Sequence, residues 1–208
     1  NIYISGSNAS MLSTELKSAL RGWPEEEETF PLSFREYCRF KNIDTCNLLE
    51  QNLAKIRNAF LDYNDEGGFP EVVLTQNPIR KTKTLQSYFD TMLLKDLAEH
   101  YDISNIEVLR YFLKRIMSNL TKPTSIRGIH GDIKSRGLKI SKDTLYDWAD
   151  YACNIFLFIR VSNYSRSLQK TENSLPKYYC IDNGMRDAVL LPQSNDNGKK
   201  LENTVLLQ

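Results

Sequence analysis

The chain has few of the residues that usually announce a chemistry. Of its 208 residues only 4 are cysteine and 2 are histidine. Cys38, Cys46, Cys153 and Cys180 are widely spaced, none in a C-x-x-C pair, and neither His100 nor His130 lies near one of them. That spacing argues against a zinc site, so no metal ligands are expected; free, buried thiols in a reducing cytoplasm fit better. No apolar run reaches the ~18 residues a spanning helix needs, and the opening residues lack a secretory pattern, so a membrane partner is not expected. A G-x-x-x-x-G-K-[ST] phosphate loop is also missing.

What is present is ordinary in bulk and uneven in distribution. The chain is 41% hydrophobic and 25% charged, as soluble globular proteins are. Its net charge of +1 conceals two halves. Residues 1–104 carry 11 Lys and Arg against 16 Asp and Glu, whereas residues 105–208 carry 16 against 10, with 13 against 6 within 105–180. Only the second half could attract a polyanion.

Asn1-Ile2-Tyr3-Ile4-Ser5-Gly6-Ser7-Asn8 reads as a strand ending in a polar turn, and Leu12, Leu16, Ala19 and Leu20 then recur at helical spacing up to Gly22. A lone strand makes no sheet, so the chain is expected to be part of a larger protein. Ser33 with Glu36 forms the signature of a helix start. A helix near 45–63 should bury Leu49, Leu53, Ile56 and Phe60, and Gly67-Gly68-Phe69-Pro70 should break it. Another near 84–100 carries Leu85, Phe89, Met92, Leu93 and Leu97. Ser104-x-x-Glu107 is expected to cap a helix with Leu109, Leu113 and Ile116 inside. Pro123-Thr124-Ser125 should start a second helix with Ile126, Ile129 and Ile133 inside, and Ser141 should cap a third bearing Leu145, Trp148, Ala152 and Ile155. Runs at 156–161 and 177–181 read as a β-hairpin. Three helices and a hairpin in about 80 residues is the order of a winged helix-turn-helix. Asp182-Asn183-Gly184 reads as a turn, and 199–208 as a helix whose Leu201, Val205 and Leu206 seek a partner. The fold class is therefore mainly α with minor β.

Taken in order, Ile-Tyr-Ile-Ser-Gly-Ser-Asn, Phe-Pro-Leu-Ser-Phe-Arg-Glu-Tyr, Gly-Gly-Phe-Pro-Glu-Val-Val, the Lys95-Asp96 helix, Pro176-Lys177-Tyr178-Tyr179 with Asp182-Asn183-Gly184, and Leu201-Glu202-Asn203-x-Val205 resemble a family. It is the archaeal-ATPase-like group of prokaryotic AAA-type ATPases with a C-terminal domain of unknown function. The resemblance implies four units: residues 1–30, the edge of a nucleotide-binding core; 31–103, a helical lid; 104–182, a winged helix; and 183–208, the start of a restriction-endonuclease-like domain. It implies that Asn8 is a catalytic sensor of the γ-phosphate, with Ser5 and Ser7 beside the nucleotide, and that Gly67, Gly68 and Pro70 contact it from the lid. Two glycines let a backbone approach a ligand closely, and proline offers a rigid apolar surface. Where the family often has Gly-Arg, this chain has Gly22-Trp23, so that arginine's role would be lost or moved to Arg21.

ATP and magnesium would belong to the intact parent, held by an upstream ATPase core that is the expected partner. This chain alone is expected to bind no cofactor and to be catalytically inert. Arg127, Lys134, Arg136, Lys139 and Lys142, with Arg166 and Lys170 in the wing, form a nucleic-acid-binding candidate. Asp143, Asp147 and Asp150 on the third helix oppose it, which favours weak, non-specific DNA association or a protein partner. Glu202 resembles the first acidic residue of a nuclease fold, whose remaining ligands are not in this sequence. The alternatives to a cytoplasmic ATPase fragment are a winged-helix DNA-binding protein with a helical regulatory domain, and a protein-interaction module.

Overall fold

Ser33 does what its spacing to Glu36 predicts. Its hydroxyl accepts the Glu36 amide at 3.4 Å while the Glu36 carboxylate accepts the Ser33 amide at 2.8 Å, opening helix α1 (Phe34–Phe40). The computed structural model of the chain describes residues 27–46, 49–164, 174–190 and 197–208. The opening strand with Ser5, Ser7 and Asn8, the helix running to Gly22, and the wing residues Arg166 and Lys170 lie outside the described residues.

Helix α2 (Glu50–Glu66) ends at Gly67, whose φ of +81° is left-handed. Short α3 (Pro70–Leu74) places Pro70 at its first position, where a missing N–H costs nothing. Helix α4 (Pro78–Thr91), capped by Asn77, runs on as a π-helical stretch over Met92–Glu99. Then come α5 (Ile106–Ser118), α6 (Ile126–Ser135) and α7 (Lys142–Asn154), followed by strands β1 (Phe158–Val161) and β2 (Lys177–Cys180). Helices α8 (Asn183–Val189) and α9 (Asn197–Leu207) end the chain. The molecule is mainly helical with a small sheet. Among the described residues no helix is long and apolar enough to cross a membrane.

The strands pair antiparallel, Phe158 opposite Cys180 and Val161 opposite Lys177. The segment between α5 and α6 joins their far edge: Pro123 bridges to Lys177, and Thr121 donates its N–H to the Tyr178 carbonyl at 3.0 Å. Thr121 does so at a φ of +65°, a conformation that a β-branched residue adopts only under constraint.

Two apolar clusters divide the chain. The larger joins α4 to the three-helix unit, the hairpin and α8, with Phe89, Leu93, Leu109, Phe112, Ile133, Leu145, Trp148 and Phe158 buried in it. The smaller holds Tyr37, Ala59, Tyr63 and Val73. Neighbouring valines on α3 separate the two, Val72 turning into the first and Val73 into the second. Of the four thiols, Cys38 and Cys180 are buried, Cys153 is half-buried and Cys46 is exposed.

Several local readings change on folding. The cap of α5 is Asn105, accepting the Val108 amide at 3.2 Å, rather than Ser104. On α2, Leu49 is 71% exposed, and the helix buries Ala59, Tyr63 and Asn64 instead of a stripe beginning at Leu49. Asp182-Asn183-Gly184 is the start of helix α8, because the Asp182 side chain caps it. Helix α9 packs through a polar face: Asn203 and Thr204 are buried, while Leu201, Val205 and Leu206 face outward.

Trp148 is 4% exposed and meets Phe112 edge-on at 6.2 Å between ring centres. Trp148→Ala should cost about 3–5 kcal/mol in denaturant unfolding, through lost burial and the cavity left behind. In a Trp23→Phe background the native emission should be blue-shifted.

Candidate functional site

The end of α2, the Gly67-Gly68 link, β2, α8 and α9 meet at one junction. Its centre is the Asp182 carboxylate, 2% exposed. One oxygen accepts the Gly68 N–H at 2.7 Å and the other the Met185 N–H at 2.8 Å. Burial pushes this carboxyl up to about 6, and the N–H groups of Gly68, Met185 and Gly184 pull against that rise.

Three glycines make the approach possible. A Cβ on Gly67 would stand 2.1 Å from the Asp182 carboxylate, and one on Gly184 would stand 2.1 Å from the Glu66 carbonyl. A Cβ on Gly68 would meet the Leu32 carbonyl at 2.3 Å, where Leu32 donates its N–H back to Gly68 at 2.8 Å. Side chains here are excluded by the chain's own atoms. The closely approached surfaces of Gly67 and Gly68 are thus filled from within, and Pro70 stands exposed beside them.

A polar network extends from the centre. Asn183 donates to the Thr204 hydroxyl at 2.9 Å and to the Lys200 carbonyl at 3.0 Å, and Thr204 donates to Asn64 at 2.9 Å. The Asn203 amide accepts the Cys180 N–H at 2.8 Å and donates to the Cys180 carbonyl at 2.9 Å, serving β2 as a neighbouring strand would. Lys200 bridges Asp65 at 2.7 Å and Asp187 at 2.5 Å. Glu202, the acidic residue singled out in sequence, accepts from Lys177 at 2.8 Å and Tyr179 at 2.9 Å. The Lys177 bond holds its carboxyl below the usual range. Among the described residues no group of three His, Cys, Asp or Glu is placed to hold a metal.

Beside the junction, a cleft of about 790 Å³ opens between α2, α4 and α8, with Tyr37, Lys55, Asp62, Glu66, Lys81 and Asp187 among its walls. Lys81 is paired with Glu66 across it. Charges of both signs line it.

A family model described as a domain of unknown function, DUF8612, matches residues 57–196, more than half the chain. The chain belongs to this family. It is 33% identical over 214 residues to an uncharacterized protein of Methanocaldococcus jannaschii, covering 100% of this chain and 46% of that protein. It is 29% identical over 208 residues to an uncharacterized protein of Haemophilus influenzae, covering 100% of this chain and 50% of that protein. The chain spans about half the length of these curated relatives. No solved structure matches it. The DUF8612 segment takes in Gly67, Gly68, Asp182, Asn183 and Gly184, hence the whole centre of the junction.

The basic candidates of this DUF8612 chain lie apart from that junction. Arg127, Lys134, Arg136 and Lys139 are exposed and Lys142 is half-buried. Arg136 rests over the Tyr111 ring, 4.3 Å from its centre. Of the opposing aspartates, Asp150 is paired with Arg160 of β1, while Asp143 and Asp147 are exposed. Asp132 on α6 is engaged by Arg115 at 2.5 Å.

The residues missed in sequence are Asp182, Asn183, Asn64 and Asn203 as partners in one network. Asp182→Asn should destabilise the chain, since the amide nitrogen would face either the Gly68 or the Met185 N–H. Its folded pKa lies above the ordinary 3.8, so the protonation-linked part of its contribution is present at acid pH and is lost as pH rises through about 6, while the bonds from the Gly68 and Met185 N–H groups remain. The deficit of Asp182→Asn in thermal melts should therefore be larger near pH 4.5 than near pH 7.5.

Proposed function

We propose that this chain is the lid and winged-helix part of an AAA-type ATPase, a cytoplasmic protein in which it relays conformational state rather than performing the chemistry. The observation that carries this reading is the connection of the Gly67-Gly68 link to the α5–α6–α7–β1–β2 unit through Asp182. A glycine pair between helices of the lid is where the resemblance expects nucleotide contact, and here the same link is bonded to the residue that follows the hairpin. The order of three helices and a hairpin, with the segment after α5 bridged to β2, supports the winged-helix part. No phosphate loop occurs in the sequence. Phosphates and magnesium would accordingly be held outside this chain, and Asn8, with Ser5 and Ser7, would complete that site from its edge.

Calorimetric titration of the chain with Mg-ATP should show no micromolar binding. The complete polypeptide carrying this segment should hydrolyse Mg-ATP, and Asn8→Ala should lower its kcat by about 10²–10³-fold, the loss typical of one charge-stabilising donor. Tight binding by the chain alone, or an unchanged kcat in the variant, would overturn the assignment.

The exposure of Arg127, Lys134, Arg136 and Lys139 supports a second reading, DNA or protein binding by the helix–hairpin unit. Asp143 and Asp147, exposed on α7, oppose phosphate and favour a protein partner. Association with random duplex DNA should be weak, independent of sequence, and lost as salt rises. Selection of one DNA motif, abolished by reversing Arg127, Lys134 and Arg136 to Glu, would replace the protein-partner reading with a DNA-binding one.

A further inference from the structure

Helices α1 and α2 are joined to the rest of the chain with little shared apolar packing. Their cluster of Tyr37, Ala59, Tyr63 and Val73 has no residue in common with the large one. The contacts that cross are mostly polar: Asn64 with Thr204, Asp65 with Lys200, Glu66 with Lys81, and Gln208 with the Phe34 N–H. Phe30 edge-on against Phe156 is the aromatic exception. An attachment of this kind usually permits relative motion, and two successive glycines at its base would supply the pivot.

Asp182 removes that freedom. It is buried, and its two oxygens bond backbone on both sides of the boundary, Gly68 on one and Met185 on the other. It also fills the space beside Gly67, and it stands two residues beyond Cys180, the last residue of β2. We propose that the Asp182 carboxylate is a coupling clamp, fastening the α1–α2 pair to β2 and α8 so that a displacement of the pair passes to the hairpin instead of being absorbed at Gly67-Gly68. Hydrogen bonds to a carboxylate are roughly twice as strong as neutral ones, and here water does not compete for them. The Asn64 and Asp65 contacts, one helical turn away, set the orientation of what the clamp holds. No nucleotide enters this coupling, so it stands or falls separately from the ATPase reading.

Amide hydrogen exchange on the full chain, in rising but sub-denaturing guanidinium, tests it. In the wild type the slowest amides of α2 and of α5 should converge on one opening event. In Asp182→Ala at neutral pH, amides of α1 and α2 should exchange about tenfold faster, the change that ~1.4 kcal/mol produces, with those of α5 and α6 unchanged. Equal acceleration everywhere would make Asp182 an ordinary stabilising residue and overturn the clamp, as would no acceleration. If Asp182→Ala does not fold, Asp182→Asn should give the same selectivity at smaller amplitude. A wild type in which α2 opens well before α5 would overturn the proposal without any variant.

Discussion

A carboxylate buried among backbone N–H groups is the constraint around which this chain is arranged. Burying an ionisable group is costly, and the cost is reduced when its acceptor sites are filled with good geometry. Asp182 meets that condition with amides from two distant stretches of sequence, Gly68 and Met185. Glycine is then required wherever backbone must come close enough to serve it. Gly67 borders the carboxylate, while Gly68 and Gly184 let the Leu32 and Glu66 carbonyls approach. A substituent at any of the three collides with backbone or with Asp182 itself.

Around that point the chain uses polar groups where a larger protein would use apolar area. Asn203 stands in for a β-strand beside Cys180, Asn64 and Thr204 join α2 to α9, and Lys200 holds two carboxylates. Such a network is worth most when complete, because each member lost leaves others buried without a partner. The two apolar clusters supply stability on either side, and the network supplies the alignment between them. The AAA-type relay proposed above would draw on the alignment more than on either core.

How much of this was legible in the sequence follows from what periodicity measures. Helices α5, α6 and α7 bury one apolar stripe each, with Leu109, Leu113, Ile129, Ile133, Leu145 and Trp148 where spacing puts them. Helix α9 defeats the same reasoning, since it buries Asn203 and Thr204 and exposes Val205 at 67%. Apolar spacing carries no information about a face that packs through hydrogen bonds. Asp182 was readable only as a turn residue because an Asp that caps a helix and one that opens a turn look alike locally. Its other partner, Gly68, is 114 positions away and invisible to any local pattern. The glycine pair shows in the sequence that backbone can approach something closely there. That the chain's own carboxylate uses this approach could not be read from spacing.

The uneven exposure of the thiols has a practical side. Burial pushes Cys180 up to about 12 and Cys153 up to about 11, and it raises Cys38 as well. All three are poor nucleophiles at neutral pH, since the thiolate is the reactive form. Cys46, exposed in the segment between α1 and α2, is left as the place where an alkylating dye or a spin label would attach first. The chain therefore carries its own reporter handle near the α1–α2 pair, and a second label placed on the helix–hairpin unit would turn their separation into an optical or magnetic ruler without removing a single native cysteine.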